Sequence, residues 1–349
     1  MCERAGAARL ARAARIAGLA APLAGLAAPA RAESVVALLP LPFRVTQVRD
    51  AGSEVAVAVE TSGLPQLPRR PAGGVVVMWG ETGGAALTLA GDRVAVVPLS
   101  PEAIEGLSAG ETPRGALAGS RRALSGPVTA YLTGATAGDP AGAAGVTVRE
   151  RQPVAMSAEP KPVPVTTTTV PAGADAVFTG ETVRTVDIDG ALHLVVVKAR
   201  AGSESLALIG REAGAWRLRA EIPAGPGGLS PAASADFGDG APSLAVVRGA
   251  EGVLQHWSVA GARPALRAEA RGYAAPAAPL ALDGGGTALA LPTLDRAALA
   301  LVSLRGGIVE RARVALPAPA GPGLAVLGGG RGAHILVVLA DGRVADVRP

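Results

Sequence analysis

The sequence predicts an all-β fold, a β-propeller of seven blades. Three observations predict it: short apolar runs in place of helical patterning, a longer repeat averaging about 47 residues, and a glycine-bearing bend ahead of each repeat. The runs are stretches of Val, Leu, Ile and Ala, often alternating, bounded by Gly, Asp and Pro. Residues 54–60 (EVAVAVE), 74–79 (GVVVMW), 194–198 (LVVVK) and 335–339 (ILVVL) read as strands. Alanine-rich stretches favour helix by propensity, but Gly or Pro interrupts nearly all of them. Residues 101–107 (PEAIEGL) are suited to one or two helical turns.

The longer repeat shows in where the strands begin, at Val55, Val94, Val128, Leu194, Leu244, Leu289 and Leu336. The last three intervals are regular, at 50, 45 and 47 residues; the first three are 39, 34 and 66. Within a unit, a strand and a loop are followed by a hairpin with a glycine at its tip, which is how one antiparallel blade is built. A two-sheet sandwich of similar strand count does not predict such a sustained period. Residues 158–171, with Pro160, Pro162, Pro164 and Pro171, cannot form a central strand and are expected to be an extended inter-blade connector. Residues 43–48 are expected to complete the last blade beside residues 343–347.

Ahead of the repeats, residues 1–32 have the three parts of a secretory signal. Arg4, Arg9, Arg12 and Arg15 precede an apolar stretch over 16–28, and Ala30-Arg31-Ala32 is a small-x-small cleavage site. The apolar stretch is shorter than the roughly 20 residues that span a bilayer, and Pro22 interrupts it. The expectation is a signal over 1–32 removed after Ala32 by the general secretion route, a propeller domain over 33–349, and a periplasmic or secreted location with no transmembrane segment in the mature chain.

Removing that segment changes the charge argument. The whole chain carries a formal net charge of +4, but residues 33–349 hold 28 basic and 28 acidic side chains. No basic stripe remains to pair with phosphates, so nucleic acid is not an expected partner. Aromatics make up only 2% of the chain, too few for stacking platforms. The single cysteine, Cys2, lies within the signal, so the mature chain can form no disulfide and no thiolate metal site. Asn is absent, which removes N-linked glycosylation and leaves tight turns to Gly and Asp.

The bend before the repeat unit is the most informative element. Residues 236–247 (Asp236-Phe237-Gly238-Asp239-Gly240 and the apolar run after them) resemble the FG-GAP (VCBS-type) repeat, and residues 187–194 (Asp187-Ile188-Asp189-Gly190 onward) resemble it with a shorter lead-in. Residues 283–286 and 331–336 are weaker echoes. The resemblance implies a seven-bladed propeller, and loop carboxylates able to hold Ca²⁺: here Asp187, Asp189, Asp236 and Asp239. The pattern departs at its last acidic position, which is Ser243 in one copy and His193 in the other. Ca²⁺ takes six to eight oxygens. Each loop offers two carboxylates, so a structural Asp-Gly turn is the competing reading, and no cofactor beyond Ca²⁺ is expected.

No catalytic motif stands out. His193, His256 and His334 are the only histidines, and none has a second His or a Cys at ligand spacing. His193 and His334 sit beside comparable turns and could face the central channel. Trp216 and Trp257 are expected to pack between blades. Two functions follow. The first is an exported, monomeric, non-catalytic propeller that binds a protein partner through its loops, with 61–73 and 134–144 as the longest insertions. The second is a propeller hydrolase or lyase with a distributed site at the central channel.

Overall fold

A computed structural model describes residues 35–62, 67, 71, 73–138, 140–153, 162–225, 228–249, 251–260 and 264–349. The expected signal over 1–32 lies outside the described residues, as does most of 61–73. The chain opens with β1 (Val35–Leu38) and β2 (Gln47–Arg49), then helix α1 (Glu54–Thr61). Strands β3 (Val76–Gly80), β4 (Gly83–Ala90) and β5 (Arg93–Leu99) follow, and then helix α2 (Pro101–Ser108). Next come β6 (Ala123–Ser125), β7 (Val128–Thr136), β8 (Gly142–Arg151) and β9 (Val165–Pro171), then β10 (Ala176–Ile188), β11 (Ala191–Arg200), β12 (Ser203–Glu212) and β13 (Ala215–Gly225). The remaining strands are β14 (Leu229–Asp236), β15 (Pro242–Arg248), β16 (Val253–Ser258), β17 (Ala265–Arg271), β18 (Ala278–Ala281), β19 (Thr287–Pro292), β20 (Ala298–Ser303), β21 (Val309–Ala315), β22 (Ala320–Leu327), β23 (His334–Leu339) and β24 (Val344–Arg348).

These strands pair as antiparallel groups of four: β2–β5, β6–β9, β10–β13, β14–β17, β18–β21, and β22–β24 with β1. The second and third groups are joined into one eight-stranded sheet by a single pairing, Phe178 with Ala143. The fold is therefore a propeller, as expected, but the described strands form six blades rather than seven. The difference lies at Val55. Residues 54–60 are helix α1, not a strand: Ser53 caps it by accepting from the Ala56 amide, Glu54 sits in its first turn, and Val55, Ala56 and Val59 are buried on one face. The apolar spacing satisfies a helix as well as a strand, and the cap decides. The short helix expected at 101–107 is α2, capped by Ser100.

Ring closure also differs from expectation. Val35–Leu38, not 43–48, pairs with β24 as the outer strand of the sixth blade. Residues 43–46 cross from the sixth blade to the first: the Val45 amide donates to Gly342 O in the β23–β24 turn (2.8 Å), the Thr46 amide to Trp79 O (2.9 Å), and Gln47–Arg49 becomes the first blade's innermost strand. Gly80 permits the crossing, because a Cβ there would collide with the Arg44 carbonyl. Of the proline-rich segment expected to be a connector, residues 158–161 lie outside the described residues, and the rest is largely strand. Val165–Pro171 is the outer strand of the second blade, an edge position that tolerates Pro171 at its end. Of the expected insertion at 134–144, residues 134–136 and 142–144 are instead the paired ends of β7 and β8.

The cores lie between neighbouring blades. Leu132, Phe178, Leu194 and Trp216 pack between the second and third; Val195, Leu206, Leu244 and Trp257 between the third and fourth; Phe237, Leu254, Leu289 and Leu304 between the fourth and fifth. Leu299, Leu324 and Ile335 pack between the fifth and sixth, and Met78, Leu87, Leu336 and Val338 between the sixth and first. Both tryptophans thus pack between blades. The remaining face of the first blade is covered by α1 and α2 through Val55, Val59, Val77 and Ile104. The first strands of successive blades, β6, β10, β14, β18 and β22, are neighbours around the centre, with β2 against β22. Among the described residues no helix is long and apolar enough to cross a membrane.

Candidate functional site at the channel mouth

The innermost strands place a charged cavity of about 370 Å³ where the first, second and third blades meet. Its lining holds four arginines (Arg49, Arg121, Arg122 and Arg184) and three carboxylates (Asp50, Glu54 and Glu111). The chain brings them together from far apart in sequence. Arg49 ends β2, Asp50 to Glu54 lead into α1, Glu111 follows α2, Arg121 and Arg122 precede β6, and Arg184 is in β10.

Two ion pairs fix the walls. Arg49 grips Glu111 with both prongs, Nε to Oε1 at 2.6 Å and Nη2 to Oε2 at 2.8 Å, and lies over the Trp79 ring at 4.6 Å. Arg122 pairs with Glu54 in the same two-pronged way. Asp50 stands among Arg184, Arg121 and Arg49. Water in the channel reaches both Asp50 and Arg184, yet protein crowds them on most sides. Desolvation raises the Asp50 carboxyl above its ordinary range, and the attraction of the arginines, Arg184 first, only partly offsets this. Desolvation likewise lowers the Arg184 guanidinium, opposed by Asp50.

A second cavity of about 700 Å³ adjoins the first through Thr185 and Ser234. It is lined by Asp187 and Asp189 from the β10–β11 turn and Asp236 from the β14–β15 turn. Three of the four carboxylates singled out in the sequence therefore meet at one cavity, while Asp239 lines a separate one with His256. Their local role is visible. Asp236 Oδ1 accepts the amides of Gly238 (2.7 Å), Asp239 (3.0 Å) and Gly240 (3.0 Å), and Gly238 and Gly240 take φ of +102° and +74°. Asp187 Oδ1 accepts only the Gly190 amide, at 2.9 Å. Among the described residues no group of three or more His, Cys, Asp or Glu side chains is placed to hold a metal ion.

The histidines line neither of these two cavities, so His193 and His334 take the scaffold place that is the alternative to a channel-facing one. Both lie on second strands, β11 and β23. His193 Nδ1 meets Ala191 O at 2.9 Å, and buried His334 meets the Asp346 carboxylate at 2.9 Å. The arginine–carboxylate cluster escaped sequence reading because its partners are 62 and 68 residues apart.

No family model matches the chain. No curated protein matches it in sequence. Among solved structures it is similar to a luciferin-regenerating enzyme at 10% identity, covering 91% of this chain and 96% of that one, with a TM-score of 0.40. It is similar to a protein from Lactobacillus plantarum at 11% identity, covering 76% and 74%, TM-score 0.40. It is also similar to BBS1N from its complex with ARL6DN at 10% identity, covering 78% and 74%, TM-score 0.38. The propeller architecture itself stands on the six four-stranded antiparallel groups.

Proposed function

We propose that this chain is a non-catalytic β-propeller binding module, exported to the periplasm or beyond after removal of 1–32, that holds a protein partner by an acidic side chain placed in the channel mouth. The observation that carries this reading is the charge inventory of the mouth. Four arginines, Arg49, Arg121, Arg122 and Arg184, and three carboxylates, Asp50, Glu54 and Glu111, line it, and Arg184 is exposed there. An arginine presented in a concave opening lined by further arginines attracts a carboxylate more strongly than an isolated surface arginine does. The likeness of 187–194 and 236–247 to FG-GAP repeats supports an interaction role, with Asp187, Asp189, Asp236 and Asp239 as turn carboxylates or Ca²⁺ ligands.

A second reading, a hydrolase or lyase at the channel, is favoured by the placement of Asp50 in the cavity lining among Arg184, Arg121 and Arg49, where crowding by protein pushes its carboxyl upward, as suits a general acid. Titration calorimetry with a glutamate-rich peptide separates the two. Saturable binding that weakens about tenfold in Arg184→Gln, and weakens further with added salt, supports the binding module. A peptide that does not bind, or binds Arg184→Gln equally well, overturns it. Turnover of ester or lactone substrates that is lost in Asp50→Asn would favour the enzyme.

A further inference from the structure

An aspartate stands at or near the end of the innermost strand in the first, third, fourth and fifth blades: Asp50, Asp187, Asp236 and Asp283. Three of them hold main chain. Asp236 Oδ1 accepts three amides of its own bend, Asp187 Oδ1 accepts the Gly190 amide, and Asp283 Oδ2 accepts the Arg331 amide of the sixth blade. Asp50 is different. Its bend is closed by the main chain, with the Ser53 amide donating to Asp50 O at 3.0 Å. Among the described residues its carboxylate accepts none of the amides of that bend. What acts on it is the loss of solvent and the charges of Arg184, Arg121 and Arg49.

A carboxylate without a turn to hold is thus placed where the mouth would receive a foreign one. The charged groups that share the cavity with Asp50 come from every element around it. Arg49 is from β2, Glu54 from α1, Glu111 from the segment after α2, Arg121 and Arg122 from the approach to β6, and Arg184 from β10. No histidine is among the lining residues. Glu54 and Glu111 are already gripped by Arg122 and Arg49. The charges that act on Arg184 are those of Asp50, which attracts it, and Arg121, which repels it.

We propose, resting on the carboxylate-binding reading of this mouth, that Asp50 is an internal competitor for the partner's acidic side chain, so that capture there takes up a proton and tightens as the pH falls. An ionised Asp50 answers the same arginines that a bound carboxylate would use. Two carboxylates sharing one site repel each other, and one of them becomes harder to ionise. Asp50 is the one crowded by protein, and that crowding already favours its neutral form. With a partner's carboxylate beside it, Asp50 keeps its proton to a higher pH than in the empty mouth. The complex therefore binds more protons than the separate molecules, and affinity rises as pH falls through that interval. Above the interval, Asp50 shields the arginines and weakens capture.

Titration calorimetry of the full chain with the glutamate-rich peptide tests this, run from about pH 8 to about pH 5.5, where the peptide's own carboxylates stay ionised. Buffers of different ionisation enthalpy count the protons taken up. The wild type should take up protons on binding, most at the acid end. Asp50→Asn, which mimics the neutral form at every pH, should bind about tenfold more tightly than wild type at about pH 8 and show no such uptake. Asp50→Glu, which keeps the acid, should keep the uptake. Equal affinity in wild type and Asp50→Asn, weaker binding by Asp50→Asn, or uptake that survives in it overturns the role of Asp50 and leaves the carboxylate site standing. The wild-type proton count needs no substitution: peptide that binds with no uptake across the range overturns the role as well. A peptide that binds no form of the chain at any pH overturns the site itself, and the role of Asp50 with it.

Discussion

The fourth to sixth blades and the junction between the first and second are built on different physics. In the former, sheet faces sheet and the packed core of each contact is apolar: Phe237, Leu254, Leu289 and Leu304 between the fourth and fifth blades, and Leu299, Leu324 and Ile335 between the fifth and sixth. At the first–second junction no sheet meets the first blade. Helices α1 and α2 cover its face, and the cross-connections are the Arg49–Glu111 and Arg122–Glu54 pairs. The second blade carries a hydroxyl ladder, Thr133 to Thr147 at 2.8 Å and Thr147 to Thr169 at 3.0 Å. Non-directional apolar contact tolerates sequence drift and keeps a constant repeat; a polar seam needs particular partners and breaks the repeat. The channel charge collects at this seam.

The comparison breaks first at its apolar side. Leu289 is fully buried between the fourth and fifth blades, and Leu289→Ala should destabilise by about 2–5 kcal/mol, since the surrounding sheets cannot collapse into the space left. Urea denaturation checks this, and the loss should be indifferent to salt. A loss below about 1 kcal/mol would show that the interface is loosely packed and that the contrast drawn above is false.

At the polar seam a smaller, differently behaved effect is expected. Glu111→Ala removes two of the hydrogen bonds that hold Arg49, whose side chain is only 11% exposed and also donates to Gln47 Oε1 and Val48 O. The guanidinium keeps the Val48 carbonyl and the Trp79 ring, so the loss should be about 2–3 kcal/mol, below that of a fully orphaned buried ion. Replacing both partners together, Arg49→Met with Glu111→Leu, should recover most of it, because an apolar pair leaves no charge to desolvate. Denaturation of the single and double variants measures this. If the double variant is as unstable as the single, the pair is not what holds the seam.

How far the sequence could be read follows the same division. Leu244, Leu289 and Leu336 begin the apolar runs of β15, β19 and β23, the second strands of three blades, and their even spacing is the even spacing of sheets that pack alike. At Val55 the alternation of EVAVAVE is misleading as a strand signal, although Ser53, Glu54 and the Val55/Ala56/Val59 spacing carry the helix signal in the same residues. That one reversal turns seven units into six. Asp187 and Asp236 were legible as turn carboxylates because each acts on amides two to four residues away. Arg49 with Glu111 was not, since the pair is a product of packing between distant parts of the chain, and no local pattern encodes it.

The smallest effects belong to the turns that the two regions share. Asp236 Oδ1 gathers three amides and Asp187 Oδ1 one, in exposed bends at equivalent places in the fourth and third blades. Asp236→Ala should therefore lower stability by about 1–2 kcal/mol and Asp187→Ala by no more than about half of that. With Oδ1 of Asp236 given over to the turn, that carboxylate has chiefly Oδ2 to offer a Ca²⁺ ion. An acceptor already serving three amides has little lone-pair capacity left, and Asp239 lines a different cavity from the other three carboxylates. Melting of the wild type should accordingly be unmoved by millimolar Ca²⁺. A Ca²⁺-dependent rise in Tm that disappears in Asp236→Ala/Asp239→Ala would reverse the assignment, making these carboxylates metal ligands first and turn caps second.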